Sequence, residues 1–163
     1  MQRCKYPIKT MNITQSYTGT YSHSKNYNGS PRDYPIDDNC GTTGRSYFYA
    51  PFDCSIKRIY GVGAKGTNTI WIQSQAPVQT PSFTDYVIMV IHPNDDTLSK
   101  LKVGQVFRQG AAIFLEGNDG RATGYHFHIS AGRGRAQGNG WKQNTRGAWV
   151  LATSGGNYPP ETE

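Results

Sequence analysis

The chain has 163 residues, enough for one domain with a real core and too few for two of ordinary size. Nineteen glycines, nine prolines and eleven tyrosines, with little leucine or alanine, favour short strands and tight turns over helices. The formal charge is +6, and no apolar run is long enough to cross a bilayer, so a helical membrane span is excluded.

In chain order, the start Met1-Gln2-Arg3-Cys4-Lys5-Tyr6-Pro7 lacks the apolar stretch of a secretory signal; a native start of this kind implies a soluble cytoplasmic product. Ser16 to Gly44 is rich in Tyr, Ser, Asn and Gly with little apolar period, and reads as a long functional loop around a rigid sheet. Short β-rich runs follow at Tyr47 to Ala50, Cys54 to Tyr60, Thr69 to Gln73, Tyr86 to Ile91, Ala111 to Glu116 and His126 to Ser130. Turn signals separate them at Ala50-Pro51-Phe52-Asp53, Gly61-Val62-Gly63, Ala76-Pro77, His92-Pro93-Asn94-Asp95-Asp96 and Gly117-Asn118-Asp119-Gly120. One helical turn is expected, Asp96 to Lys102. From Thr153 onward the composition is that of a linker, so the expected organisation is one domain over 1–152 and a tail over 153–163.

Cys4, Cys40 and Cys54 are odd in number and lack Cys-x-x-Cys spacing, which argues against a disulfide framework or a thiolate metal knot. A bridge between Cys40 and Cys54 stays open. Between Gly120 and Pro160 stand five basic residues (Arg121, Arg133, Arg135, Lys142, Arg146) and no acid. Such a stretch is drawn to polyanions. No nucleic-acid motif accompanies it, so nucleic acid is not expected; an anionic cell-wall polymer or a phospholipid surface suits it equally well, beside the plain alternative of a solvated basic face. With no assembly signal, a monomer is the default.

There are four histidines. His126 and His128 alternate with Phe127 and Ile129, so on a strand both imidazoles share a face. Two nitrogen donors on a rigid strand can begin a zinc site, though a pair of surface histidines has the same pattern. A catalytic zinc takes three protein ligands and leaves a fourth position for water. His23, in Tyr21-Ser22-His23-Ser24, and Asp37, in Pro35-Ile36-Asp37-Asp38, are candidate companions of His128.

Asn12-Ile13-Thr14-Gln15, then Tyr21-Ser22-His23, Pro35-Ile36-Asp37, Tyr49-Ala50-Pro51, Val90-Ile91-His92-Pro93, the Val103 to Gly110 hairpin, and Gly117-Asn118-Asp119-Gly120 before Tyr125-His126-Phe127-His128 form an ordered set over residues 12–130. In this order they resemble the lysostaphin/LytM family of zinc peptidoglycan endopeptidases, the M23 family. The resemblance implies a mainly β fold, an antiparallel sheet or sandwich with long loops around a groove. It makes His23, Asp37 and His128 ligands of Zn2+, and His126 and His92 the catalytic pair. The family spaces its first histidine and aspartate three residues apart, whereas thirteen residues, Ser24 to Ile36, intervene here. Closure entropy grows only logarithmically with such an insertion, so the site is not forbidden. Asp38 and Asp33 remain rivals to Asp37, and the inserted loop, with Tyr27, Arg32 and Tyr34, is expected as a wall of the groove.

The implied activity is hydrolysis of a peptide bond in the stem or cross-bridge of bacterial peptidoglycan, by a phage endolysin or virion-associated lysin made without a signal peptide. With no His-Glu-x-x-His helix to supply a glutamate, a histidine must serve as base, and which of His92 and His126 does so stays open. The rival readings are an inactive wall-binding relative and a zinc carboxypeptidase acting on terminal D-alanine. Among the tyrosines, some are expected to stack on glycan or peptide in the groove.

Overall fold

The apolar runs with strand period form the middle of one sheet. The computed structural model describes residues 2–19, 23, 34–39, 46–62, 67–118, 124–145, 147 and 149–160. Its elements in chain order are β1 (Gln2–Arg3), β2 (Asn12–Gln15), β3 (Ile36–Asn39), β4 (Tyr47–Tyr49), β5 (Cys54–Tyr60), β6 (Thr69–Ser74), β7 (Val78–Gln79), β8 (Phe83–Thr84), β9 (Tyr86–Ile91), α1 (Asp95–Leu98), β10 (Val106–Phe107), β11 (Ala112–Leu115), β12 (Phe127–Arg133), β13 (Ala136–Gln143), β14 (Trp149–Thr153) and β15 (Asn157–Tyr158). The strand-rich class expected from composition and the antiparallel sheet implied by the resemblance are both observed, with the short β1–β7 pair parallel.

Eight strands form the main sheet in the order β10-β5-β6-β9-β12-β3-β2, with β15 added along β12. One face carries the core: Ile56, Ile70, Ile72, Ile88, Val90 and Ile129 pack with Phe48, Phe114 and Phe127. The Phe48 and Phe114 rings stack at 4.9 Å and Phe127 meets both edge-on, a geometry favoured by the ring quadrupoles. The opposite face is covered at one end by the β13–β14 hairpin, whose Leu151 and Trp141 close over Trp71, Val87 and Met89. Burial on both faces explains why Tyr86–Ile91, and the Ile70-Trp71-Ile72 centre of β6, read as continuous apolar runs instead of alternating ones.

Helix α1 is shorter than the expected turn. Asn94 caps it by accepting from the backbone N–H groups of Asp96 and Thr97, and after Leu98 the bonds tighten to Lys100 N–H onto Thr97 O and Leu101 N–H onto Leu98 O, which ends the helix. The stretch expected as a linker is drawn onto the sheet as far as Tyr158: Asn157–Tyr158 pair with β12, and the Arg133 guanidinium lies 3.5 Å over the Tyr158 ring. Arg135 meets Asp85 at 3.1 Å, so two cations of the basic segment have partners within the fold; Arg121 and Arg146 lie outside the described residues. Cys4 and Cys54 carry free thiols, and Cys40 also lies outside them.

Candidate metal centre

Register decides which carboxylate can meet the histidines. Residues directly opposed across strands point to the same side of the sheet. His128 on β12 pairs with Asp37 on β3 and, on its other side, with Ile91 on β9. Asp37 and His128 therefore project together on the face away from the aromatic core, and Asp38, paired with Phe127, projects into the core side. Asp38 is fully buried and accepts from Asn12 N–H at 2.7 Å. Burial pushes its carboxyl up to about 6, with backbone N–H bonds from Asn12 and Asn39 opposing and the nearby Glu116 adding to the rise. Asp38 is thereby removed as a rival to Asp37. Asp33, Tyr27 and Arg32 lie outside the described residues.

Asp37 is the hub. His128 Nδ1 stands 2.9 Å from its Oδ1 and His23 Nε2 stands 3.1 Å from its Oδ2, with the two imidazole rings edge-on at 5.1 Å. One donor atom from each of His23, Asp37 and His128 lies within 4.8 Å of the others. Burial raises the Asp37 carboxyl, but hydrogen bonds and charge from His128 and His23 outweigh it and hold the group well below the usual carboxylate range. His23 is fully buried, while the side chains of Asp37, His126 and His128 keep 13–16 % exposure, enough to open the site on one side.

The donor set fits zinc on the geometry of its protons. His23 Nδ1 lies 2.8 Å from the carbonyl of Ser16, an acceptor only, so the ring proton belongs on Nδ1. Its Nε2, buried, faces Asp37 Oδ2 at 3.1 Å, where a neutral ring presents a bare lone pair to a carboxylate. A cation between the two removes that conflict. A histidine that gives its second N–H to a carbonyl is the usual arrangement at a metal. Donors about 2.0–2.1 Å from a tetrahedral zinc stand roughly 3.3 Å apart, close to the spacings to Asp37.

Two further histidines adjoin this cluster. His126 Nδ1 lies 2.8 Å from Gly124 O, which places its proton there and turns Nε2 toward Asp37 Oδ1 at 3.8 Å. His92 follows β9, and its ring lies 4.7 Å from that of His126. His92 has φ 72°, a left-handed conformation uncommon outside glycine, held from three directions. Its N–H donates to Asn68 O, its carbonyl accepts from Gly117 N–H at 2.7 Å, and Asn68 Nδ2 donates to Pro93 O and Asp95. A Cβ on Gly117 would fall 2.6 Å from His92 O, so only glycine permits that approach. Gly117 also bridges to His126, joining both histidines to one turn; residues 119–120 of the expected Gly117 to Gly120 turn lie outside the described residues.

All five residues expected at the site are thus gathered in one place. Three supporting groups carried no assigned role: Gln15, Ser16 and Gly124. A register irregularity between Ile13 and Gln15 sets Gln15 opposite Asp37, where its amide donates to Asp37 Oδ2 at 2.9 Å and its carbonyl accepts from His23 N–H at 3.3 Å. Ser16 and Gly124 act through main-chain oxygens, which no side-chain pattern reveals.

No family model matches the chain. Morphogenesis protein 1 of Bacillus phage B103 is 25% identical to it over 145 residues, covering 86% of this chain and 35% of that protein, so the chain spans about a third of its relative's length. Among solved structures, the catalytic domain of the prophage-encoded M23 protein EnpA from Enterococcus faecalis superposes with a TM-score of 0.51 over 99% of this chain and 95% of that one, at 16% identity. A zinc-containing peptidase from Vibrio cholerae gives 0.50 over 80% of this chain and 35% of that one, at 17% identity. At such identities the likeness establishes the fold, which is that of the M23 peptidases.

Proposed function

We propose that this chain is a zinc metallopeptidase that hydrolyses peptide bonds in the stem or cross-bridge of bacterial peptidoglycan. The observation that carries the reading is the convergence of His23, Asp37 and His128 on one point, with the lone pair of His23 Nε2 buried against a carboxylate. Zinc, when bound there, supplies a Lewis acid that makes water acidic near neutral pH and polarises an amide carbonyl. Two neutral imidazoles and one carboxylate leave the assembly a net positive charge. Asp37, whose carboxyl His128 and His23 hold well below the usual carboxylate range, is the anionic ligand between the two rings.

His126 is the base in this reading. Its proton on Nδ1 is held by Gly124 O, so Nε2 is free to take a proton from water on the open side of the site. His92, braced beside it, is placed to donate to the oxygen of the carbonyl as charge develops there. The backbone strain at His92 is consistent with a side chain held for a task. The fold of the M23 peptidases supports peptidoglycan as substrate, and the phage relative, named for morphogenesis, supports a lysin carried with the particle over a free endolysin.

Clearing of Gram-positive cell suspensions, with and without chelator, tests the reading. Lysis that chelator stops and zinc restores is expected, with mass spectra showing cleaved stems or cross-bridges. No lysis by zinc-loaded protein, or release of terminal D-alanine alone, would overturn it.

A further inference from the structure

The sheet face that carries the metal centre continues past it. His128 pairs with Ile91, Ile91 with Thr69, and Thr69 with Tyr60, so these four residues align across β12, β9, β6 and β5, with Thr69 buried beneath the surface between the two ends. Three strand spacings, roughly 14 Å, separate the ends of that row. At the far end lies a cleft of about 740 Å³, lined by Lys57, Arg58, Tyr60, Trp71, Trp141 and Trp149 among others, with no carboxylate among its lining residues. The volume is that of a site for a small ligand.

The cleft is built from specific local features. A register shift between Ile56 and Arg58 sets two residues of β5, Lys57 and Arg58, against Trp71 alone, and such a bulge aims neighbouring side chains to one side. Both cations therefore lie on the tryptophan side. Trp71 forms the floor, its indole N–H donating to Gly140 O at 3.2 Å, and Trp141 meets it edge-on at 5.3 Å. Gly140, at φ +94°, lets β13 approach; a Cβ there would fall 2.6 Å from the Trp71 ring. Arg58 donates to Gly138 O and keeps its charge, so the cleft presents two cations to a ligand, the Lys57 ammonium and the tethered Arg58 guanidinium. Tyr60 and Trp149 are 63 % and 57 % exposed, unusual for large rings that neighbour each other on one surface.

We infer that this cleft binds the glycan strand of peptidoglycan at a muramic acid that carries no peptide, where the lactyl carboxylate is free. Flat rings open to solvent suit the C–H faces of pyranoses, and the two cations suit a lactyl carboxylate. A single-stranded nucleic acid also stacks on aromatic rings, but it needs a track of cations that this cleft lacks. The choice of glycan rests on the peptidoglycan reading above.

The test uses the full chain treated with chelator, so that nothing is cleaved, and the peptide-free disaccharide N-acetylglucosaminyl-N-acetylmuramic acid. Saturable change in tryptophan fluorescence is expected at millimolar ligand or below. Trp149→Ala should weaken binding at least tenfold, Trp149→Phe should retain most of it, and Lys57→Gln should reduce the preference for the acidic disaccharide over neutral chitobiose. Trp149 is exposed, so its removal leaves the fold intact, which circular dichroism checks. No saturable binding, equal affinity in Trp149→Ala, or tighter binding of oligothymidylate would each overturn the inference. Absence of lysis by zinc-loaded protein bears on the peptidase reading alone, because this binding is measured without turnover.

Discussion

Gln15 offers a sharp probe of the site because it touches two of the three proposed ligands without being one. Its amide donates to Asp37 Oδ2 at 2.9 Å and its carbonyl holds the backbone of His23 at 3.3 Å. Gln15→Ala removes a hydrogen bond to an ionised group, worth about 1.5–3 kcal/mol. Loss of an outer-shell partner typically costs about 10–100-fold in metal affinity, or about 1.4–2.8 kcal/mol, so two independent lines agree. The expected result is a zinc dissociation constant raised within that range in competition with a chromophoric chelator at constant pH. Because Gln15 sits on β2 at the edge of the sheet, the melting temperature of metal-free protein should move by only a few degrees. Equal zinc affinity in Gln15→Ala and wild type would refute the role of Asp37 as the carboxylate ligand, since a bond to an uninvolved aspartate has no bearing on the metal.

His126→Ala is expected to bind zinc like wild type and lose turnover by about 10²–10⁴-fold, read from metal content and wall lysis together. Asp38→Asn tests the buried carboxyl whose pKa is raised from 3.8 to about 6. The folded state binds that proton more tightly than the unfolded one, so the associated stability is complete below about pH 4 and lost as pH rises through about 6. Urea melts of Asp38→Asn should therefore match wild type at acid pH and show a gain of at most about 3 kcal/mol above neutrality; a gain that is the same at both ends would contradict the assignment. Gly140→Ala forces a side chain into a left-handed backbone and against the Trp71 ring. It should lower stability by about 1–3 kcal/mol, visible as an earlier denaturant midpoint followed by tryptophan fluorescence.

The strands legible in sequence are those whose apolar side chains face a core. Cys54–Tyr60, Thr69–Ser74, Tyr86–Ile91 and Ala112–Leu115 fall close to where period and turn signals put them. Ile36–Asn39 is hidden inside a polar stretch because three of its four residues are Asp or Asn, one at the proposed metal centre and one buried at 0 % exposure on the other face. The β13–β14 hairpin is not legible in the sequence because Ala136–Gln143 carries glycines and polar residues where apolar ones would alternate; its place is decided by Trp141 meeting Trp71, a contact between distant parts of the chain. At the site, residue types and order sufficed to propose the five side chains. The resemblance favours Asp37 over Asp38, and the pairing with β12 supplies the physical reason, since adjacent residues on a strand face opposite ways.

Metal content of the purified protein after exhaustive dialysis tests the central claim most directly. One equivalent of zinc per chain in wild type, and none in His23→Ala, Asp37→Ala or His128→Ala variants that retain the β circular-dichroism spectrum, is the expected result. Wild-type protein that binds no zinc when zinc is supplied, or variants that keep a full equivalent, would contradict it.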